Sequence, residues 1–210
     1  MIGVQMGKQI GIYVFDEVEA LDFAGPYEVL TTASRVAKRM GLATSALFEV
    51  VVIGQTMQTV KARAGMGIMP DQSITDHLPL DVLIVPGGVV TRELAKTDVI
   101  AWVQRMAQQV PLVASVCTGA FVLAEAGLLN GLTATTHWED IPDLQAQYPT
   151  VTVRQGVRWV DQGHIVTSAG ISAGIDMSLH LVERLGGRAL AAATARQMEF
   201  DWTENPAVST

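Results

Sequence analysis

The sequence predicts an α/β fold, a mainly parallel sheet with helices on both faces, and three observations predict it. Short unbroken apolar runs bounded by turn residues read as strands buried on both sides. Between them lie segments whose apolar residues recur every three to four positions, the period of an amphipathic helix. The two patterns alternate along the chain, and such alternation implies parallel strands joined by crossover helices.

The first strand is expected at residues 10–15 (IGIYVF), and the helix after it at 22–39, where Asp22 is a residue type that caps helix N-termini. Residues 41–47 add length before the second strand, 48–53 (FEVVVI). The stretch 57–69 breaks the rhythm: its residues alternate and it holds Gly65 and Gly67, which suggests a small hairpin or irregular strands at an edge. A strand at 82–85 (VLIV) runs into Pro86-Gly87-Gly88, and helix 98–109 follows. Strand 112–116 (LVASV) leads into helix 118–126, and a further helix is expected at 141–147. Residues 151–166 read as two short strands around a Gln-Gly turn, and 171–184 restarts a helix. Beyond Phe200, Asn205-Pro206 suggests a loosely packed end. With no linker, repeat or low-complexity segment, residues 1–210 are expected to form one domain.

An apolar content of 49% against 17% charged residues favours a compact globule. Fourteen basic against twenty-one acidic residues leave a net charge of −7, which repels a phosphate backbone. The one basic grouping, Arg35, Lys38 and Arg39, has the spacing of an exposed helix face, so no nucleic-acid partner is expected. A single cysteine cannot form an internal disulfide or a multi-cysteine zinc site, and no His-Glu-x-x-His helix is present, so no metal is expected. The N-terminal run MIGVQMGKQIGIYVF lacks a signal-peptide cleavage region, and the apolar runs are too short to span a bilayer. The expectation is a cytoplasmic protein with no membrane partner.

Ligands of such folds bind beyond the carboxyl ends of the strands, here residues 15–22, 85–90, 116–119 and 167–172. Cys117 stands at one of these ends in SVCTGA, with Ser115 two residues before and Gly119 two after. Small-x-nucleophile-x-small is the pattern of a strand-to-helix elbow, where only small neighbours leave room for a strained turn. The following helix N-terminus is expected to favour the thiolate, and the Thr118 N–H to stabilise a developing anion. A lone cysteine is otherwise most often inert core; its place at a strand end argues for function. Gly87 and Gly88 let the backbone approach a ligand, and the Gly88 N–H is the expected second oxyanion donor.

On these residues the chain resembles the ThiJ/PfpI cysteine family, within the class I glutamine amidotransferase-like superfamily. The segments LDFAGPYEVL, VPGG, SVCTGAFVLAEAGLLNG, ATTHW and TSAGISAGIDMSLHLVERL carry the resemblance, in order and over nearly the whole length. Within the family they are most similar to the isonitrile hydratase branch and to the amidotransferase-like domain of AraC-type regulators. The resemblance implies a flavodoxin-like three-layer sandwich, a homodimer, a small-molecule substrate and no cofactor. It also assigns roles: Cys117 as nucleophile, Asp22 as its acid partner and later water activator, Thr118 as a positioning group. His137, in ATTHW, matches a histidine near the cysteine in several relatives and is expected to support the site. His77, His164 and His180 read as surface or structural residues. Thr118 stands where protease- and deglycase-like members carry histidine, which argues against a peptidase. Ser168-Ala169-Gly170 is poorer in glycine than hydratase-like sequences. The implied reaction is hydration of an isonitrile to an N-substituted formamide. Its competitors are a glyoxalase-, deglycase- or amidase-like activity on the same elbow, and a ligand or redox sensor. The acidic run 198–201 and the lack of a basic recognition helix argue against direct DNA binding.

Overall fold

A computed structural model describes residues 7–205. In chain order, β1 (Lys8–Val14) leads to α1 (Ala20–Arg39) and β2 (Phe48–Gly54), followed by β3 (Val60–Lys61), β4 (Gly67–Ile68) and β5 (Gln72–Ser73). Then come β6 (Val82–Val85), α2 (Thr91–Leu94), α3 (Thr97–Gln109), β7 (Leu112–Val116) and α4 (Gly119–Glu125). The last part holds β8 (Thr133–Ala134), α5 (Ile141–Gln147), β9 (Thr152–Val153), β10 (Trp159–Asp161), β11 (Ile165–Ser168), α6 (Ala173–Gly186) and α7 (Arg188–Gln197).

Seven strands form one sheet in the order β10-β11-β7-β6-β1-β2-β5. Every neighbouring pair is parallel except β10 with β11. Every residue of β6 and β7 is buried, which requires cover on both faces. Helices α1, α6 and α7 pack on one another, and α2, α3 and α4 gather as a second group. The result is the flavodoxin-like three-layer sandwich. From β1 the chain moves outward through β2 to β5, then returns to β6 and proceeds the other way to β7 and β11. The strand order therefore reverses between β1 and β6, and the crevice at their carboxyl ends is where such sheets hold ligands.

Several elements differ from the sequence expectation. Helix α1 starts at Ala20 with Glu19 at the cap, so Asp22 lies inside the first turn and caps nothing. Helix α6 starts at Ala173 rather than 171, because Ile171 takes φ +50, outside helical geometry. Three short strands, not two, occupy 151–166 and its edge: β9 leaves the main sheet to pair with β8, while β10 and β11 turn back through Gln162-Gly163. Helix α7 was not anticipated; Gly187, at φ +92, breaks it from α6, and its alanine-rich sequence is strongly helix-forming. The expected loose end is instead strapped down as far as Asn205. The Asn205 carboxamide accepts from the Arg158 N–H at 2.7 Å and donates to the Trp159 carbonyl at 2.8 Å, and Thr203 N donates to Asp176 at 2.8 Å. Pro206 and residues 1–6 of the N-terminal run lie outside the described residues. Strands β3 and β4 form the expected hairpin, off the main sheet, and it holds Arg63 at its turn.

Candidate active site

Cys117 occupies the turn between β7 and α4 at φ +55, a left-handed conformation that a residue with a side chain adopts only when its surroundings impose it. The surroundings are explicit. Cys117 N donates to the carbonyls of Ser168 and Ala169 at 3.2 and 3.3 Å, and the Thr136 hydroxyl holds the Cys117 carbonyl at 2.8 Å. The small neighbours are sterically required: a Cβ on Gly119 would lie 2.1 Å from the Val85 carbonyl oxygen, and one on Gly87 would lie 2.5 Å from Thr118 N. The elbow, read from small residues alone, is present in the backbone.

Asp22 sits behind the cysteine, fully buried. Its Oδ2 accepts the Gly87 N–H at 3.1 Å, while Oδ1 has no hydrogen-bond partner among the described residues. Burial pushes its carboxyl up to about 7; the Gly87 N–H pulls the other way, nearby Glu19 adds to the rise, and the Cys117 thiol opposes it. At Cys117 burial, then the Asp22 charge, push the thiol up to about 12 against the opposing pull of the Thr118 and Ile171 N–H groups. The expected thiolate-favouring environment is thus corrected. Helix α4 has only seven residues, and its N-terminal potential does not outweigh desolvation beside a carboxylate. At rest the pair is a neutral thiol next to a carboxyl that titrates near neutrality.

The two glycines and the Thr118 hydroxyl are brought together, but neither the glycine N–H groups nor that hydroxyl is left open as an oxyanion donor. The Gly87 N–H is committed to Asp22, and the Gly88 N–H donates to the Thr118 hydroxyl at 2.9 Å, which in turn donates to the Gly88 carbonyl at 2.8 Å. The expectation of an open Gly88 N–H is therefore corrected: Thr118 clips the elbow to the Pro86–Gly88 loop and consumes that donor. The N–H groups that do favour charge on the sulfur are those of Thr118 and Ile171. Ile171, a β-branched residue at φ +50, was missed because nothing in its side chain signals a backbone donor.

A cavity of about 200 Å³ opens over the sulfur, lined by Gly88, Cys117, Thr118, His137 and Ile171 and rimmed by charged side chains. His137 Nδ1 lies 3.3 Å from Asp140 Oδ2, so the imidazole is partnered at the rim. Arg63 pairs with Glu19 at 3.4 Å across another part of the rim. Sequence reasoning missed both, since Arg63 lies in a hairpin with no motif and Asp140 only follows ATTHW. Among the described residues no three His, Cys, Asp or Glu side chains gather to hold a metal ion. His77, His164 and His180 lie away from this cavity, bonded to Trp102, to backbone carbonyls of 107 and 111, and to Asp161.

Fold and site together define an α/β protein with a strained elbow cysteine backed by a buried carboxyl at a topological switch point. The chain belongs to the DJ-1/PfpI family, whose profile matches residues 8–184. It is 34% identical over 196 residues to the isonitrile hydratase of Pseudomonas putida, covering 93% of this chain and 79% of that protein. It is also 31% identical over 199 residues to the HTH-type transcriptional regulator GbdR of Pseudomonas aeruginosa, where it spans 94% of itself but about half, 52%, of the regulator. Among solved structures, a ThiJ/PfpI family protein from Pseudomonas syringae superposes with a TM-score of 0.82 at 23% identity, covering 99% of this chain and 81% of that one. DJ-1beta of Drosophila melanogaster gives 0.77 at 21% identity, covering 94% and 100%. No helix among the described residues is long and apolar enough to cross a membrane.

Proposed function

We propose that this chain is a cytoplasmic, cofactor-free hydratase that adds water to an isonitrile and releases an N-substituted formamide. The observation that carries the reading is the buried pairing of a neutral Cys117 thiol with an Asp22 carboxyl of near-neutral pKa, with threonine rather than histidine after the cysteine. The terminal carbon of an isonitrile needs a sulfur nucleophile and a proton. Asp22 as carboxylate takes the thiol proton, sulfur bonds to that carbon, and Asp22 returns the proton to the same carbon, giving a thioimidate. Water then attacks, with Asp22 accepting its proton. Asp22 passes that proton to the nitrogen, giving a tetrahedral hydroxy thioether; the C–S bond then breaks as the hydroxyl loses its proton to Asp22, which hands it to the departing sulfur, so the thiol is restored and the formamide leaves. Thr118 and Ile171 N–H groups stabilise charge on the sulfur as it forms and departs.

Purified protein assayed with cyclohexyl isocyanide and with methylglyoxal tests this. Formamide production abolished in Cys117→Ala is expected; turnover of methylglyoxal alone would replace the reading with a glyoxalase-like one. The regulator similarity favours a second reading, a ligand or redox sensor. Mass spectrometry after mild peroxide separates it: a stable Cys117 sulfinate without isonitrile turnover supports the sensor.

A further inference from the structure

We propose that Arg158 is a positioning residue for the nucleophile: it anchors residues 169–172 at both ends and so holds the Ile171 N–H over the Cys117 sulfur. The inference rests on Cys117 being the nucleophile of the reading above, whatever its substrate. Residues 169–172 cross from β11 to α6 and meet Cys117 twice. The Ala169 carbonyl accepts the Cys117 N–H at 3.3 Å, while the Ile171 N–H favours charge on the sulfur and Ile171 itself lines the cavity above it. The segment does not keep this shape unaided. Ile171 is β-branched and sits at φ +50, a conformation that costs free energy and persists only where neighbours impose it.

One neighbour is the His137 ring, packed so closely that a Cβ on Gly170 would lie 2.1 Å from its Cδ2. The other is Arg158. Its carbonyl accepts the Ala169 N–H at 2.9 Å, and its guanidinium donates through Nη2 to the Ser172 hydroxyl at 3.2 Å and through Nε to Asp176 at 2.7 Å. Ile171 therefore lies between two residues that Arg158 holds. Ser172 stands at the N-cap position of α6, yet its side chain caps nothing and is left for Arg158. Arg158 is fixed in turn by Asn205, which accepts its N–H at 2.7 Å, and by the fully buried Asp176. The residue type matters. Asp176 alone would be answered by any cation, but a guanidinium carries several donors in a fixed fork and meets Asp176 and Ser172 together, whereas a lysine ammonium is a point charge on a flexible stem. Arg158→Lys thus separates the two roles, keeping a cation for Asp176 and dropping the tie to Ser172.

The test reads alkylation of Cys117 by iodoacetamide, turnover of cyclohexyl isocyanide and urea melts in wild type, Arg158→Lys, Ser172→Ala and the double variant. Arg158→Lys is expected to melt close to wild type, yet to slow alkylation about ten-fold and lower kcat by a similar factor, with KM within about two-fold. Ser172→Ala should slow both by about three-fold, and the double variant should be no slower than Arg158→Lys, because both changes act through one segment. Slow alkylation in Arg158→Lys, in a protein whose wild type turns over no isonitrile, would keep the positioning role and sink the hydration. Alkylation and kcat at wild-type values in both single variants, or losses that only follow destabilisation, would overturn the positioning role and leave Arg158 as the cation of Asp176 alone.

Discussion

Asp22 concentrates opposing demands in one side chain. Its carboxyl must accept a proton from the thiol, yet it is fully buried, and the burial that raises it to about 7 also makes its ionised form costly. The folded-state pKa lies above the ordinary 3.8, so the native protein holds a proton that the unfolded chain has released. The stability contribution is therefore complete at acid pH and is lost as pH rises through the window from 3.8 to about 7. Asp22→Asn should be more stable than wild type at pH 8 by up to ~4 kcal/mol and gain nothing at pH 3, as urea melts at the two values would show. The same substitution should lower kcat/KM by about 100-fold or more. In wild type kcat/KM should rise with pH through about 7, because the reactive form pairs the thiol with the carboxylate; the Asn variant should lack this limb. A wild-type profile that falls through the same range would assign Asp22 the protonated role instead.

At the scale of elements, the strands, most helices and the elbow were legible because they rest on local pattern: unbroken apolar runs, three-to-four spacing, and small residues around Cys117. The rest depends on tertiary placement. Position 22 looks like a cap until α1 is seen to start two residues earlier, and Gly88 looks like an open donor until Thr118 is folded against it. The end of the chain misled for the same reason. Asp176 on α6 is fully buried, and although burial raises its carboxyl, Thr203 N–H and the Arg158 guanidinium hold it against that rise. Short polar residues that read as a frayed tail are thus the partners of a buried charge. Arg158→Ala should destabilise the protein by ~3 kcal/mol at neutral pH, since it leaves that charge short of its cation. The loss should shrink as pH falls, because burial raises the Asp176 carboxyl and a protonated Asp176 no longer needs its cation, and amide exchange should show residues 201–205 losing protection first. An unchanged exchange pattern in that segment would mean the strap is held by Asn205 alone.

For the molecule as a whole, one exposed apolar surface among the described residues lies around the β3–β4 hairpin. Met57, Met66 and Met69 are 55%, 48% and 74% exposed there, and Leu21 and Tyr27 of α1 are each 38% exposed. The hairpin and the approach to α1 are tied together by the Glu17 N–H to Lys61 carbonyl bond and by Arg63 with Glu19. Exposed methionines suit an adaptable protein interface, and an apolar patch of this kind favours self-association. We expect a homodimer formed through this face, with light scattering giving twice the chain mass. Each chain carries a net charge of −7, so added salt should strengthen the dimer by screening the repulsion between copies. Met66→Glu with Met69→Glu should yield monomers. Since the hairpin also carries Arg63 to the rim of the cavity, such monomers should show a raised KM with kcat largely kept, whereas a monomeric wild type would place the role of these methionines elsewhere.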